Sequence, residues 1–374
     1  MSGVYIHIPF CASRCIYCDF YSTTIRGKAH EYVDAILKEY EERSDFLPSK
    51  EPLQTIYIGG GTPSQLPISE LKRLIDFFNN KDVKEFTIEA NPEDICKEWA
   101  KAVGQYPNIR ISIGVQSLND NELRIINRRH NSKKPLEAVK FLREAGIKNI
   151  SVDLMYGLPT QSLETWEESI NGIIALNPEH ISAYCLSVEE ESPLRKLIEK
   201  GELSPADEDL CLEMAELLRK KLKEAGYIQY EISNYSKPGF ESKHNSSYWD
   251  GTPYLGLGPG AHSYDGKYHR RWNIGDLNSY LNGERKEDGE TLSDKDIFNE
   301  KIMLGLRTNK GVSASLFENI DNYCNYKGDS KKNNYKEAID SFISRGLLTK
   351  KGNNLILSES GLALADEVMR ELFI

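Results

Sequence analysis

Apolar positions along the chain follow two alternating periods. Short β-branched and aromatic runs at 4–8, 55–58, 86–89, 109–115, 150–155 and 180–186 read as six strands. Between them apolar residues return every three or four positions. Tyr32, Ile36, Leu37 and Tyr40 share one stripe within 31–42, and Leu71, Leu74, Ile75 and Phe78 another within 69–78. Ser69 opens the second of these helices, Pro135 stands near the start of a third over 134–145, and Gly146 follows it where a left-handed cap is favoured. Strand and helix alternating in this way imply parallel strands joined by right-handed crossovers. Six such units exceed what a short doubly wound sheet needs, so the expected fold is α/β, a partial (β/α)6 barrel of the TIM type.

The pattern then changes. A helix over 205–225 precedes an aromatic and glycine-rich stretch, 227–272. Residues 281–296 are charged, lack aromatics and carry Gly283 and Gly289, which predicts a linker. Helical patterns follow at 297–308, 313–318 and 335–345, then a hairpin turning near Gly352 and a last helix over 358–372. Helices closed by a hairpin predict a smaller winged-helix-like C-terminal domain, read as a packing or partner surface. The lysine-rich stretch 327–336 is expected to be a solvated loop. The expected division is 1–226 for the barrel, 227–285 for the aromatic region and 290–374 for the C-terminal domain.

Charge narrows the options. With 47 basic and 57 acidic side chains the formal charge is −10, which argues against nucleic-acid binding by phosphate neutralisation. Hydrophobic residues make up 39% and charged residues 28%, and no apolar stretch nears the ~18 residues of a membrane span. A soluble protein without a membrane anchor is expected. A strand beginning at Gly3 leaves no room for a signal peptide, which predicts a cytoplasmic, reducing setting.

The seven cysteines are Cys11, Cys15, Cys18, Cys96, Cys185, Cys211 and Cys324. An odd total with three crowded into one loop does not suit a disulfide framework. Cys11, Cys15 and Cys18 form a C-x3-C-x2-C loop directly after the first strand. Thiolates at these spacings can hold three irons of a cubane and leave the fourth open. A closed zinc site, by contrast, wants four ligands. Gly59, Gly60, Gly61, Thr62 and Pro63 follow the second strand, where glycines either relieve a tight turn or let backbone approach a ligand. Cys11, Gly59, Glu89, Gln116 and Asp153 all fall at or near strand C-termini, the end where βα barrels carry their active sites.

The cysteine loop, with Tyr17 before its last cysteine, resembles the signature of the radical S-adenosylmethionine (SAM) superfamily. That resemblance implies a 4Fe-4S cluster on Cys11, Cys15 and Cys18, with the open iron chelating the amino and carboxylate groups of SAM. Gly60, Gly61 and Thr62 are then similar to its glycine motif. Tyr5, Tyr17, Glu89 in EANP, Gln116 in GVQS, Arg128 in NRRH and Asp153 in DLMYGLP resemble the SAM shell of the oxygen-independent coproporphyrinogen oxidase family. The resemblance implies carboxylates for the amino and ribose groups, Gln116 for ribose or adenine, Tyr17 for adenine, and Arg128 for the SAM carboxylate. The oxidases carry a further cysteine where this chain has Phe20, and an extension before the cluster loop where only ten residues precede Cys11.

His244 to Trp249 (HNSSYW) match the H-N-x-x-Y-W motif of the heme chaperone HemW family, and Gly256 to Ser263 (GLGPGAHS) resemble the same family. Read from the residues alone, His244 caps a loop and the aromatics are core. The resemblance implies instead that His244 ligates heme iron while Tyr248 and Trp249 offer flat faces to a porphyrin. His262 reads either with that motif or as part of a glycine-bounded loop beneath the cluster. His7 reads as a core residue, and His30, His130, His180 and His269 as surface or cap residues. The expected function is heme binding and delivery to acceptor hemoproteins such as membrane respiratory enzymes. The cluster, fed by an electron donor, and SAM would serve stability, homodimer formation or a reductive step. The alternatives are oxidative decarboxylation of coproporphyrinogen and radical chemistry on heme itself.

Overall fold

A computed structural model describes residues 2–48, 52–79, 83–320 and 329–374, the stretch 329–334 by its backbone alone. Strands β1 (Ser2–Ile8), β2 (Leu53–Gly60), β3 (Glu85–Ala90), β4 (Ile109–Gln116), β5 (Asn149–Tyr156) and β6 (His180–Cys185) lie parallel in that spatial order. Helices α1 (Ala29–Arg43), α2 (Ile68–Asn79), α3 (Lys97–Gly104), α4 (Asp120–Ile125), α5 (Lys134–Glu144) and α6 (Leu163–Leu176) intervene along the chain. Successive strand residues face opposite sides. Ile6, Ile58, Ile88, Ile113, Val152 and Ile181 are fully buried with Ile36, Leu74, Leu142 and Ile173 of the helices in the main core. Each such side chain contributes roughly 1.5–3 kcal/mol by leaving water.

The inward face is polar. Register places Tyr5, Tyr57, Thr87 and Arg110 in one row and Glu89, Ser112, Ser151 and His180 in the next. A barrel whose interior is lined with hydroxyls, rings and charges can hold a ligand at its mouth, which an aliphatic filling would not. The sheet does not close on itself. Strands β7 (Ile228–Gln229) and β8 (Asn234–Ser236) continue it antiparallel beyond β6. On the other side β9 (Tyr254–Leu257) lies parallel to β1, and β10 (His262–Tyr264), β11 (His269–Asn273) and β12 (Glu287–Thr291) continue antiparallel, making twelve strands among the described residues. Helices α7 (Pro193–Glu199), α8 (Glu208–Glu224), α9 (Lys243–Trp249) and α10 (Leu277–Leu281) belong to this part of the chain.

A second core gathers Phe298, Ile302, Leu306, Phe317, Leu355 and Val368. It joins α11 (Asp294–Leu306), α12 (Ser315–Glu318), α13 (Asp329–Ser344), α14 (Glu359–Ala363) and α15 (Ala365–Leu372) to a small sheet of β13 (Val312–Ser313), β15 (Asn354–Leu357) and β14 (Leu348–Lys351). The partial barrel with a helical, winged appendage is therefore the observed architecture.

Several local expectations need correction. The expected linker, 281–296, contains β12, every residue of which is exposed. Its backbone hydrogen bonds come from β11, so a polar sequence with no buried side chain still forms a strand. Residues 329–336 belong to α13 and are not loop, while 327–328 and Cys324 lie outside the described residues. His130 and His180, expected at the surface or in caps, are buried. His130 lies against the Val115 carbonyl at 3.1 Å, and His180 bonds Ser151 at 2.8 Å and Tyr230 at 2.7 Å.

Candidate functional site

The cysteine loop is pinned to the C-terminal rim from several directions. The Cys11 amide donates to the Thr23 carbonyl at 2.9 Å, and the Thr23 amide to that of Pro9 at 2.7 Å. Asn127 Nδ2 donates to the Arg14 carbonyl at 2.7 Å, and Ile16 and Tyr17 pack on Ile126, Met155 and Leu158. Cys11, Cys15 and Cys18 are free, partly buried thiols. Burial pushes the Cys18 thiol up to about 11, and its neighbours Cys15 and Cys11 add to the shift. Thr62 Oγ1 donates to Cys11 Sγ at 3.5 Å, and Arg128 Nη1 to Cys15 Sγ at 3.6 Å. Among the described residues no three His, Cys, Asp or Glu side chains converge on one metal ion. A cubane asks for no such convergence, because each thiolate binds a different iron. The donor set therefore fits a cluster better than a mononuclear ion.

Beneath the cysteines the end of β2 passes at very close range. Gly60 has φ +106°, and a Cβ there would stand 2.7 Å from the His7 ring. A Cβ on Gly61 would stand 3.0 Å from Cys11 Sγ. A side chain at either position would collide with the His7 ring or the Cys11 sulfur, so glycine lets the strand end lie this close to both. Glu89 accepts from Tyr57 Oη at 2.7 Å and from the Gly60 amide at 3.2 Å, and burial holds its pKa up at about 7. Asp153 accepts from Ser112 Oγ at 3.2 Å, and burial raises its pKa as well. Gln116 sits at φ +68°, beside a register shift between β4 and β5. A non-glycine residue held there stores strain of the kind found at ligand sites.

Arg128 Nη2 donates to Asn91 Oδ1 at 2.8 Å and to the Gly114 carbonyl, while its buried Nε has no partner among the described residues. Tyr5 Oη donates to His7 Nδ1 at 3.1 Å, and His7 Nε2 donates in turn to the Tyr21 carbonyl at 2.8 Å. Glu89, Gln116, Arg128 and Asp153 are all only partly buried, with spare hydrogen-bonding capacity at an open rim. A zwitterion bearing ribose hydroxyls suits this set of groups. Tyr57, Asn91 and Arg110 were not anticipated. Arg110 is 1% exposed, with Nε and Nη1 unpartnered among the described residues. The signal available for it was a lone cation inside the apolar run 109–115.

The HNSSYW segment lies at the opposite end of the barrel. It forms α9, capped by Ser242 Oγ, which accepts from the Asn245 amide at 3.3 Å. Glu85, at the start of β3, accepts the amides of Lys243 and His244, both at 3.0 Å. His244 is fully buried. Its Nδ1 meets Thr55 Oγ1 and its Nε2 meets Tyr248 Oη, each at 2.8 Å. Burial, aided by Arg110, lowers its pKa to about 3. In this conformation both ring nitrogens of His244, the expected ligand of heme iron, are engaged and the ring is fully buried. Tyr248 and Trp249 do border a cavity of about 1600 Å³ between the barrel's lower end and the C-terminal domain.

Three cysteines above a glycine-lined strand end, with carboxylates and an arginine at the C-terminal ends of a partial parallel barrel, define a radical SAM protein. Residues 5–173 match the Radical SAM superfamily and residues 292–364 the HemN C-terminal domain. The fold is similar, with a TM-score of 0.80 at 20% identity, to the coproporphyrinogen III oxidase HemN of Escherichia coli over 100% of this chain and 90% of that one. The sequence is 37% identical to the heme chaperone HemW of Bacillus subtilis over 98% of both chains. It is 34% identical to that of Lactococcus lactis over 100% of this chain and 97% of the relative. The chain belongs to the heme chaperone HemW family, and membership of the superfamily implies a 4Fe-4S cluster and SAM. No helix among the described residues is long and apolar enough to cross a membrane.

Proposed function

We propose that this protein binds heme and passes it to acceptor hemoproteins, membrane respiratory enzymes among them, while holding a 4Fe-4S cluster and SAM at the upper rim. The observation that carries the reading is the end-to-end similarity to heme chaperones at 34–37% identity. Cys11, Cys15 and Cys18 hold the cluster. Gly60, Gly61, Thr62, Glu89, Gln116, Arg128 and Asp153, with Tyr5 and Tyr17 behind them, hold SAM. The cluster supplies reducing electrons received from a protein donor. Work in the reducing cytoplasm agrees with the free thiols of the described cysteines. Phe20, 62% exposed, occupies the place where the oxidases resembled have a further cysteine, which favours carriage of a porphyrin over its decarboxylation.

The test is to reconstitute the cluster anaerobically, titrate with hemin, and mix the loaded protein with an apo-cytochrome. Stoichiometric uptake followed by appearance of the holo-cytochrome spectrum is expected. Absence of hemin uptake, or release of carbon dioxide from coproporphyrinogen III with SAM, overturns the reading.

A further inference from the structure

The seven histidines differ in what their ring nitrogens do. His7, His180 and His244 have both nitrogens bonded inside the fold. His130 lies against the Val115 carbonyl and Glu93, His30 against Glu70 and Arg73, and His269 against Thr291. His262 has no hydrogen-bond partner for either nitrogen among the described residues, and it is exposed on the wall of the large cavity.

Its surroundings are flat and aromatic. Register across β9, β10 and β11 pairs His262 with Trp272, Tyr264 with Arg270, and Tyr264 with Tyr254, so these side chains share one sheet face. The His262 ring stacks on Trp272 with centroids 5.4 Å apart and planes 22° from parallel. Gly256 makes the arrangement possible, because a Cβ there would lie 2.0 Å from the His262 carbonyl oxygen. Across the gap stand Ile297 and Leu304 of α11, while Lys267 and Lys310 lie exposed at the edge. At about 1600 Å³ the space exceeds the roughly 300–1,000 Å³ of ordinary small-ligand pockets. A planar tetrapyrrole needs such a chamber: aromatic faces for the macrocycle, ammonium groups for its propionates, and one neutral imidazole for its iron.

We infer that the heme site is this chamber and that His262 is the iron ligand, with His244 a positioning residue that fixes Tyr248 on the chamber wall. The inference rests on the heme-binding reading above and names its site. The bond is a coordination of the imidazole lone pair to iron, with no bond broken and no electron transferred.

Hemin titrations of the full-length protein, read by absorption and resonance Raman spectra, test it. Wild type is expected to give a histidine-ligated spectrum. His262→Ala is expected to lose that signature and bind hemin roughly tenfold or more weakly. His262→Gly should regain the signature on adding free imidazole, which a damaged fold would not do, and His244→Gln should keep it. If wild type binds hemin while His262→Ala retains the wild-type spectrum, or if only His244→Gln loses it, this site is overturned and the chaperone reading stands. If wild type takes up no hemin, both fall.

Discussion

The two ends of the barrel use the same kinds of side chain for opposite purposes. At the upper rim Glu89, Gln116, Arg128 and Asp153 are partly exposed, and donors such as Arg128 Nε have no partner among the described residues. At the lower end the equally polar His244, Thr55, Glu85 and Tyr248 satisfy one another, and the histidine has no accessible surface. Leaving a buried donor unpaired costs about 1–3 kcal/mol, so a fold tolerates it where a ligand completes the bond. Polarity alone does not mark a binding site. Unused bonding capacity on partly exposed groups distinguishes the rim, whereas α9 is a plug whose outer face borders the chamber.

The largest effect expected from breaking this contrast is all-or-none. Cys15→Ala should bring iron and sulfide to background after anaerobic reconstitution, since two thiolates cannot retain a cubane. Hemin uptake at the far end should persist in the same sample. Retention of full iron content would remove the cysteine loop as the cluster site, and joint loss of heme and cluster would mean that the two ends are not separable.

A smaller effect is expected at the plug. His244→Ala leaves the Thr55 and Tyr248 hydroxyls unpaired around a void, which should cost about 3 kcal/mol in chemical denaturation while SAM affinity is unchanged. The pH dependence carries its own signature. The folded-state pKa is about 3 against an ordinary 6.5, so the unfolded chain takes up a proton that the native one refuses. Wild-type stability therefore falls as pH drops from about 6.5 toward 3, and the variant should lack that part of the slope. Equal stabilities at all pH values would mean that the buried imidazole is not held as described.

How much of this was legible beforehand follows from the range of the interactions. The parallel strands and the cysteine loop are written in contiguous residues, so period and spacing revealed them. The role of His244 is fixed by a bond to Thr55, 189 residues away, and no local pattern encodes that docking. The motif was visible, but which of its neighbours offers a free nitrogen was not. Arg110 and Asn91 were missed for the same reason. Asn91 meets Thr62 and Arg128, 29 and 37 residues away and outside the strands. β12 was missed because an exposed edge strand is held by backbone bonds that leave no apolar trace.

The finest test concerns Glu89. Its carboxyl titrates near 7 because burial disfavours the charge, with Asp153 close by, against the bonds from Tyr57 and the Gly60 amide. An ionised carboxylate accepts from an ammonium or a ribose hydroxyl more strongly than a protonated one. SAM affinity, measured calorimetrically on the reconstituted protein, should therefore rise with pH up to about 7 and then level, with protons released on binding below that point. Glu89→Gln should flatten the profile and bind roughly 10–100-fold more weakly above pH 7, the range of a charge-assisted hydrogen bond of about 1.5–3 kcal/mol. Without SAM the same shift acts on folding with the reverse sense. The native state keeps a proton that the unfolded chain has released, so Glu89 favours unfolding progressively as pH rises from about 4.5 to about 7. Glu89→Gln should then be the more stable protein at pH 8 and the weaker SAM binder. A variant that lost stability and affinity together would show that Glu89 holds the fold and does not wait for a ligand.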